Sequence, residues 1–341
     1  MMSMNSNHAP LVSILISTYN DEKYIVESIN SVLNQTYTNL EVLVVNDAST
    51  DHTSQLLQQI HDERLIIIDN GVNQKLAANL NKMIRIAKGK YLARMDADDI
   101  ALPERIAHQV RYMEEHPDID VLGTWTEMIG NATGIFPVPC EHDQICSCLL
   151  FQNIITHPSV MLRANTCDYQ YDEKLSAGQD YELWSRIIWN KRFAVLPEVL
   201  LQYRIHPNQT TRRHGTQQKA GAKAARERMY YHLMGKPVSK AFNMLFDYAT
   251  PKTTEEISDI EHELGELLET NRRHAVYQDL AKPAWEQFYR VWYYSVGLNG
   301  VTVRQMRHGL FEEQYRSMPL VQRAKCYAQI LRNRMMRIAQ G

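Results

Sequence analysis

The stretch Gly89–Asp99, GKYLARMDADD, joins the pattern of a strand to a cluster of acids. Its first half is apolar to neutral, and three carboxylates then follow within four residues. On an extended backbone, residues i and i+2 point to the same side, so Asp96 and Asp98 are expected together, with Asp99 on the other side. Neighbouring carboxylates repel each other unless a cation lies between them, and Mg²⁺ and Mn²⁺ prefer oxygen ligands. By itself the pattern fits either a metal–phosphate site or a solvated acidic turn.

Three further apolar segments precede this stretch, at Leu11–Ser17, Leu40–Val45 and Leu65–Ile68. Such runs predict strands that are buried on both faces, as in parallel sheets. Helically spaced apolar residues lie between the segments, and the last of the predicted helices is expected to stop at Gly89. The alternation of four strands with three helices predicts an α/β fold with a doubly wound, mainly parallel sheet and right-handed crossovers.

Polar residues follow the ends of these predicted strands. Thr18, Tyr19 and Asn20 follow the first strand, Asp47 follows the second, and the acids of Gly89–Asp99 follow the fourth. Doubly wound sheets bind ligands outside the carboxyl ends of their strands. Because folding does not require this convergence, it favours the metal–phosphate interpretation. The sequence lacks a GxGxxG after the first strand and a GxxxxGK[ST] anywhere, which argues against dinucleotide oxidoreductases and P-loop NTPases.

Composition narrows the class of protein. The 341 residues are 44% hydrophobic and 22% charged, which is ordinary for a globular protein with room for two domains. A net charge of −2 argues against a nucleic-acid partner. No apolar run reaches the roughly 18 residues of a membrane span, and the N-terminus lacks a signal-peptide pattern. Five irregularly spaced cysteines are expected to be reduced thiols in a cytoplasmic protein.

Four segments together resemble the family 2 glycosyltransferases. They are Val12–Asn20 (VSILISTYN), Val44–Asp51 (VVNDASTD), Asn70–Asn81 (NGVNQKLAANLN) and Lys88–Asp99 (KGKYLARMDADD). The resemblance extends over roughly residues 10 to 210 and depends on the order and spacing of all four segments. It implies the GT-A fold and inverting, metal-dependent transfer from a nucleotide-diphospho-sugar.

The resemblance also implies roles for individual residues. Donor-binding residues would be Thr18, Tyr19, Asn20, Asp47, Lys75, Asp96 and Asp98. Asp47 would contact the nucleotide base, although a helix-capping role remains open, and Asp96 would lie near the ribose and sugar. Asp98 would bind Mn²⁺ or Mg²⁺. His206 would be a second ligand of the metal or of the diphosphate, but a lone histidine often has neither role.

A second polar segment, Ser176–Trp184 (SAGQDYELW), predicts the start of a helix. Asp180 lies three and four residues before Leu183 and Trp184, so it belongs to the same inward stripe. A carboxylate there is either a helix cap or a functional group. Inverting sugar transfer needs a base for the acceptor hydroxyl, and the family has a Glu-Asp pair at this place. Here the pair is Gln179-Asp180, which retains the second acid, and Asp180 is the predicted base.

We expect a flexible stretch at residues 1–10, a catalytic domain at 11–214 with a donor half (11–100) and an acceptor half (101–214), and a helical region at 215–341. His157 lies in the acceptor half before a proline, which predicts an extended backbone. His157 and Gln179 are candidates for the acceptor side, and His157 could equally be an ordinary strand-edge residue. Two short strands are expected at Phe193–Leu196 and Val199–Ile205.

The last predicted helix, Leu320–Ile338, is basic and amphipathic. Its predicted apolar stripe comprises Leu320, Ala324, Tyr327, Leu331, Met335 and Ile338. Residues 301–341 contain eight Lys or Arg and two acids, so this end carries about six positive charges in excess. Such a helix fits an anionic membrane surface, and it fits packing against its own domain equally well.

The sequence therefore predicts an inverting glycosyltransferase with a metal at Asp98 and Asp180 as base. Surface polysaccharide synthesis is the expected setting, with a UDP-sugar donor favoured by its frequency in the family and a glycan or lipid-linked acceptor. A homodimer and a peripheral location on the inner face of the cytoplasmic membrane are compatible with this function. A non-catalytic scaffold with the same fold remains an alternative. A sugar nucleotidyltransferase is disfavoured because Thr18–Tyr24 contains no glycine.

Overall fold

A computed structural model describes residues 9–164, 169–207, 215–248, 250–296, 298, 301–302, 306 and 309–340, without the side chains of 320, 324, 331 and 334–340. The strands are β1 Val12–Thr18, β2 Leu40–Asn46, β3 Leu65–Asp69, β4 Tyr91–Asp96, β5 Ile100–Ala101, β6 Val121–Gly130, β7 Gly134–Phe136, β8 Met161–Arg163 and β9 Phe193–Ile205. The helices are α1 Ile25–Leu33, α2 Thr53–Gln58, α3 Lys75–Ile86, α4 Arg105–Glu115, α5 His142–Leu149, α6 Gln179–Ile187, α7 Gly215–Met234, α8 Lys240–Met244, α9 Thr254–His274, α10 Ala281–Ser295, α11 Glu312–Ser317 and α12 Leu320–Gln340.

The chain forms two compact units. The first comprises Met1–Ile145 and Gln152–Ala225, and the second comprises Cys146–Phe151 and Arg226–Gly341. The division therefore falls within α7, and α5 contributes its last residues to the second unit.

The first unit contains one sheet with the strand order β3-β2-β1-β4-β8-β6-β9-β5, and β7 pairs with β6. The first four strands are parallel, which confirms the predicted doubly wound arrangement. Thr18 pairs with Asn46 and Ser17 pairs with Asp96, so the carboxyl ends of β1, β2 and β4 meet at one edge of the sheet. Strands β1 and β2 are buried almost throughout because helices cover both of their faces.

Three local predictions were wrong. Helix α3 ends at Ile86, and Gly89 is not its stop but a close-approach position, because a Cβ there would lie 2.5 Å from the backbone N of Ser13. Residues 193–205 form one strand, β9, whose pairing with β6 is irregular near Trp125. His157 does not have the extended backbone expected before a proline but begins the 3₁₀ turn His157–Ser159.

The second unit is helical. The rings of Phe288 and Trp292 in α10 are fully buried, and Phe311 packs against Phe288 with ring centroids 5.3 Å apart. These aromatic residues therefore form the core of this unit. Thr253 begins α9 with a capping box, in which its side chain accepts from the Glu256 N–H.

The predicted last helix is present as α12. Within it Cys326 and Asn333 are buried, whereas Tyr327 of the predicted apolar stripe is 45% exposed. The side chains of Leu320, Ala324, Leu331, Met335 and Ile338 lie outside the described residues, and so do residues 1–8, which cover most of the stretch predicted to be flexible. Among the helices that the structure describes, none is long and apolar enough to cross a membrane.

Candidate functional site

A cavity of about 700 Å³ opens at the carboxyl ends of β1, β2 and β4. Nine of the eleven predicted site residues line it: Tyr19, Asp47, Lys75, Asp96, Asp98, His157, Gln179, Asp180 and His206. The fold thus brings residues from distant parts of the sequence into one site. Thr18 and Asn20 are not among its lining residues. Thr18 is buried and donates to Asp21, and the side-chain oxygen of Asn20 accepts from Thr50 N at 2.7 Å.

The three acids after β4 form a compact cluster. One carboxylate oxygen from each of Asp96, Asp98 and Asp99 lies within 4.8 Å of the others. The expectation that Asp99 points away was wrong, because β4 ends at Asp96 and a turn follows instead of a continued strand. Side-chain alternation holds only along an extended backbone.

Each acid of the cluster has a different set of partners. Asp96 forms an ion pair with Arg94, and Oδ2 of Asp98 lies 2.7 Å from Nε2 of His206. Oδ1 of the buried Asp99 accepts from Arg204 N at 2.8 Å, while its Oδ2 is buried with no partner among the described residues. Asp99 therefore fixes the turn after β4 to strand β9, and this is a structural role.

The electrostatics of the cluster fit a divalent cation. Burial, followed by repulsion from Asp96, raises the pKa of Asp98, and the same two causes raise the pKa of Asp99 well above its ordinary value. A cation bound among these oxygens would remove this repulsion. Carboxylate oxygens are the ligands that Mg²⁺ and Mn²⁺ prefer, and His206 can add a nitrogen to them. The residues present thus suit such an ion, with Asp98 and His206 as the adjacent pair.

Arg94 is a member of the site that was not predicted. It lies in β4, is only 4% exposed, and lines the cavity. Its Nη2 pairs with Asp96, but Nε and Nη1 are buried without a hydrogen-bond partner in the described part of the chain. The sequence contained a signal for it, namely a basic residue between apolar residues of a predicted buried strand.

Asp21 was also not predicted, although it lines the cavity beside the acid cluster. Its Oδ2 accepts from Thr18 Oγ1 at 2.8 Å and from Tyr19 N at 3.0 Å. Burial raises the pKa of Asp21 to about 6, and the charges of Asp98 and Asp96 add to this increase. Its effect on Asp98 and Asp96 is therefore that of an additional negative charge nearby.

Asp47 both lines the cavity and caps a helix. Its Oδ1 accepts from Asn70 Nδ2 at 2.9 Å and from Gln74 N at 2.8 Å, and its Oδ2 accepts from Lys75 N at 2.9 Å. These bonds satisfy the free N–H groups at the start of α3. The capping alternative is thus observed, at the helix after β3 and not at the one after β2. Lys75 has a positive φ of 72°.

Asp180 lies in the first turn of α6, which follows Gly178 in the left-handed conformation. Its Oδ2 accepts a 2.7 Å hydrogen bond from Nδ2 of Asn153, a residue that no sequence pattern indicated. Burial raises the pKa of Asp180, whereas the hydrogen bonds that it accepts and the charge of Arg94 act in the opposite direction. The half-buried side chain combines two features of a general base, a raised pKa and a fixed orientation.

The two acceptor-side candidates are mostly buried. Nε2 of His157 lies 2.8 Å from Oη of Tyr171, and the side chain is 8% exposed. Burial, together with the charge of Arg94, lowers the pKa of His157 well below its ordinary value. His157 is therefore a neutral imidazole in the cavity wall. Gln179 is buried and lines the cavity beside Asp180.

The carboxylate cluster at the carboxyl ends of the parallel strands and the carboxylate of Asp180 line one cavity. The model of the family described as "Glycosyl transferase family 2" matches residues 13–158. A Haemophilus influenzae protein described as an uncharacterized glycosyltransferase is 39% identical over 249 residues, which cover 66% of this chain and 75% of that protein. The chain belongs to glycosyl transferase family 2 and is a glycosyltransferase.

Two further comparisons place this chain within its family. WfaP of Escherichia coli, a UDP-Glc:alpha-D-GlcNAc-diphosphoundecaprenol beta-1,3-glucosyltransferase, is 33% identical over 181 residues, covering 52% of this chain and 70% of WfaP. The crystal structure of S. aureus TarS 1–349 in complex with UDP superposes with a TM-score of 0.53 and 19% identity, over 83% of this chain and 90% of that one. The likeness to TarS confirms the GT-A fold.

Proposed function

We propose that this glycosyltransferase transfers a sugar from a nucleotide-diphosphate donor, with inversion, to a hydroxyl of a glycan or lipid-linked acceptor. The observation that carries the proposal is that Asp180 lines the same cavity as Asp47 and the acids after β4. One cavity thus offers a nucleotide-binding carboxylate, a cation site and a base. A non-catalytic scaffold would not need the half-buried Asp180 to be oriented by Asn153.

The donor would lie along the carboxyl ends of the parallel strands. Tyr19 and Lys75 are exposed at the cavity, and the buried Asp47 is fixed by the hydrogen bonds that it accepts at the start of α3. The fixed carboxylate of Asp47 can accept from the N–H of a pyrimidine base, and the charge of Lys75 suits a phosphate. UDP is the favoured nucleotide because the relative WfaP is named for UDP-Glc.

Asp98 and His206 would hold a divalent cation, Mn²⁺ or Mg²⁺. The bound ion would supply charge stabilisation for the departing nucleotide diphosphate. Asp96 is held by Arg94, and we infer that it lies beside the donor sugar and ribose. Arg204 holds the turn in place because its Nε donates to the Asp98 carbonyl at 2.7 Å and its Nη2 pairs with Glu27.

Asp180 would accept the proton of the acceptor hydroxyl. In an inverting transfer the hydroxyl oxygen bonds to the anomeric carbon on the face opposite to the leaving diphosphate, and its proton passes to the carboxylate. Because burial raises the pKa of Asp180, the carboxylate is a stronger base than an exposed aspartate. Gln179 supplies a neutral amide beside Asp180, so Asp180 is the one carboxylate of this residue pair that can act as the base.

The setting that we infer is the synthesis of a surface polysaccharide at the inner face of the cytoplasmic membrane. The name of WfaP states that it acts on a diphosphoundecaprenol-linked sugar, which supports a lipid-linked acceptor here. Lys325 and Arg332 are exposed on α12, as contact with an anionic membrane surface requires. Sedimentation of the protein with vesicles that contain phosphatidylglycerol, but not with neutral vesicles, would test this contact.

The substitution Asp180→Asn tests the proposed chemistry. We expect the variant to bind UDP-sugar with Mn²⁺ as the wild type does, but to lose at least about a thousandfold in the rate of transfer and of donor hydrolysis. Isothermal titration calorimetry measures binding, and release of UDP measures turnover. Asp118→Asn, which removes an exposed carboxylate, serves as the control. Unchanged turnover in Asp180→Asn would exclude Asp180 as the base, and a wild type that binds no nucleotide sugar would favour the scaffold.

A further inference from the structure

The hairpin β6–β7 presents apolar and aromatic side chains to the catalytic cavity. Met128, Phe136 and Tyr203, here called the hairpin platform, all line this cavity. Phe136 is 45% exposed although it is a large apolar residue. None of the roles proposed above for the donor, the cation or the base uses these three side chains.

The register of the sheet places the platform on one face. Phe136 pairs with Thr126 in the antiparallel hairpin, and Tyr203 of β9 pairs with Met128. Paired residues lie on the same face, and so do residues two apart on one strand, so all three platform side chains share the face of Thr126. The pair Glu127 and Ile135 lies on the opposite face, and Ile135 is 58% exposed there.

The platform is connected to the acid cluster through β9. Tyr203 directly precedes Arg204, whose N–H donates to Asp99 at 2.8 Å and whose Nε donates to the carbonyl of Asp98 at 2.7 Å. The platform is therefore fixed relative to the side of the cavity where the diphosphate and cation would lie.

The platform is also connected to the proposed base. Oγ1 of Thr126 lies 3.5 Å from Oγ1 of Thr156, in the segment that follows Asn153. Asn153 in turn donates to Asp180 at 2.7 Å. The platform thus lines the same cavity as Asp98 and Asp180, and the strand that carries Met128 contacts the segment that follows Asn153. The acceptor must bind in this cavity.

The chemistry of the platform distinguishes the acceptor from the donor. A nucleotide diphosphate needs cations or N–H donors, whereas the platform consists of a thioether and two aromatic rings without formal charge. The C–H groups on one face of a pyranose ring can pack against an aromatic face, while its hydroxyls remain in contact with polar groups such as Thr126 and Thr156. A cavity wall that combines half-exposed rings with hydroxyls fits this amphipathic ligand.

We propose that Met128, Phe136 and Tyr203 bind the acceptor as a pyranose ring stacked on the hairpin platform. The proposal rests on the function proposed above and names the acceptor class of that same site. Phe136 is then a specificity-determining residue that binds the acceptor without taking part in the proton transfer.

The test uses the full chain and two variants of the same hairpin. Saturation-transfer NMR with UDP and Mg²⁺ present is recorded on the methyl pyranosides of glucose, galactose, mannose and N-acetylglucosamine. We expect at least one pyranoside to bind the wild type, and its dissociation constant to rise about tenfold in Phe136→Ala but less than twofold in Ile135→Ala. Phe136→Tyr keeps the ring and is expected to restore binding. Donor affinity and the rate of donor hydrolysis are expected to stay within twofold of wild type in Ile135→Ala, whose side chain does not line the cavity.

Several outcomes would overturn the proposal. The first is that no pyranoside binds the wild type. The second is that Phe136→Ala and Ile135→Ala weaken pyranoside binding equally. The third is that Phe136→Ala leaves the dissociation constant of the pyranoside unchanged. If octyl glycosides lose affinity in Phe136→Ala while the methyl glycosides do not, the ligand of the platform is the apolar aglycone and not the sugar. Failure of the proposed function would instead appear in the same samples as lost UDP-sugar binding and hydrolysis by the wild type.

Discussion

Nε2 of His206 lies 2.7 Å from Oδ2 of Asp98, and this contact joins the residue after β9 to the turn after β4. Both side chains are largely shielded, with 12% and 17% of their side-chain surface exposed. The two residues are far apart in sequence and meet because β9 runs back beside β5, where Ile100 pairs with Gln202. The contact therefore depends on the fold of the whole first unit.

The first prediction concerns divalent cations. His206→Ala is expected to weaken Mn²⁺ binding about 10- to 100-fold, because it removes a nitrogen ligand, or the group that orients the Asp98 carboxylate. Calorimetric titration of Mn²⁺ in the presence of UDP measures this affinity. The UDP-sugar KM in limiting Mn²⁺ is expected to rise in parallel.

The matched control for this change is His52→Ala. His52 also pairs with a carboxylate, Glu22, at 2.8 Å, but it is 74% exposed and does not line the cavity. Loss of Mn²⁺ affinity in both variants would point to a general effect of charge, and an unchanged affinity in His206→Ala would remove His206 from the cation site.

The second prediction is a pH dependence set by Asn153. Asp180 must be ionised to act as a base, so the rate of transfer falls as the pH falls through its pKa, which burial raises. The Asn153 amide stabilises the ionised form, so Asn153→Ala is expected to shift this acidic limb to higher pH. On this acidic limb we expect kcat of the variant to lie at least about tenfold below that of the wild type at the same pH, since a hydrogen bond to a charged group is worth about 1.5–3 kcal/mol.

The measurement is the pH profile of UDP release at saturating donor. Asn190→Ala, which removes an exposed amide just after α6, provides the comparison and is expected to leave the profile unchanged. A variant Asn153→Ala with a lower rate at every pH but an unmoved limb would show that Asn153 only positions the side chain.

The sequence predicted the donor side of the site better than its supporting contacts. Continuous runs rich in Val, Ile and Leu indicated β1 and β2, and the stretch before the acid cluster indicated β4. The polar residues and acids at the ends of these strands then had to meet at one edge of the sheet. The Asn153–Asp180 bond was not predictable, because a lone asparagine in a loop has no periodic pattern. Asp99 joins the acid cluster because the chain turns after Asp96. Side-chain alternation along a strand cannot predict such a turn.

The acceptor side was less predictable for a related reason. Residues 130–139 contain the short strand β7 and Phe136, but no pattern in their sequence predicts a strand there. A three-residue strand is too short to show alternation, and its side chains face a cavity and solvent instead of a core. Its register becomes visible only through its pairing with β6.

The third prediction concerns Gly89. A Cβ at this position would lie 2.5 Å from the backbone N of Ser13 and 2.7 Å from the Tyr91 carbonyl oxygen, and neither backbone atom can move freely. Gly89→Ala is therefore expected to lower the free energy of unfolding by about 2–3 kcal/mol, as in overpacked interiors. Chemical denaturation followed by far-UV circular dichroism measures the change.

Gly71→Ala is the control for this substitution, because no heavy atom lies within 4 Å of a Cβ built there. It is expected to leave stability unchanged within about 0.5 kcal/mol or to raise it slightly, since alanine restricts the unfolded chain. Equal effects of the two substitutions would mean that the contact with Ser13 relaxes without cost.

The last prediction uses the raised pKa of Asp21, which is about 6 in the folded protein against 3.8 as the ordinary value. Between these two values the folded state binds more protons than the unfolded state, so the ionisation of Asp21 lowers stability as the pH rises through this range.

Asp21→Asn keeps an oxygen that can accept from Thr18 and Tyr19 but removes the charge. With cations removed by EDTA, we expect the variant to be more stable than wild type by roughly 2–3 kcal/mol at pH 8, and the gain to shrink at pH 5. Urea denaturation at the two pH values measures the difference. Asp118→Asn, which neutralises an exposed carboxylate, is expected to show no such change with pH. A gain for Asp21→Asn that is equal at pH 5 and pH 8 would contradict the explanation by charge, because only an ionised Asp21 is repelled by Asp96 and Asp98.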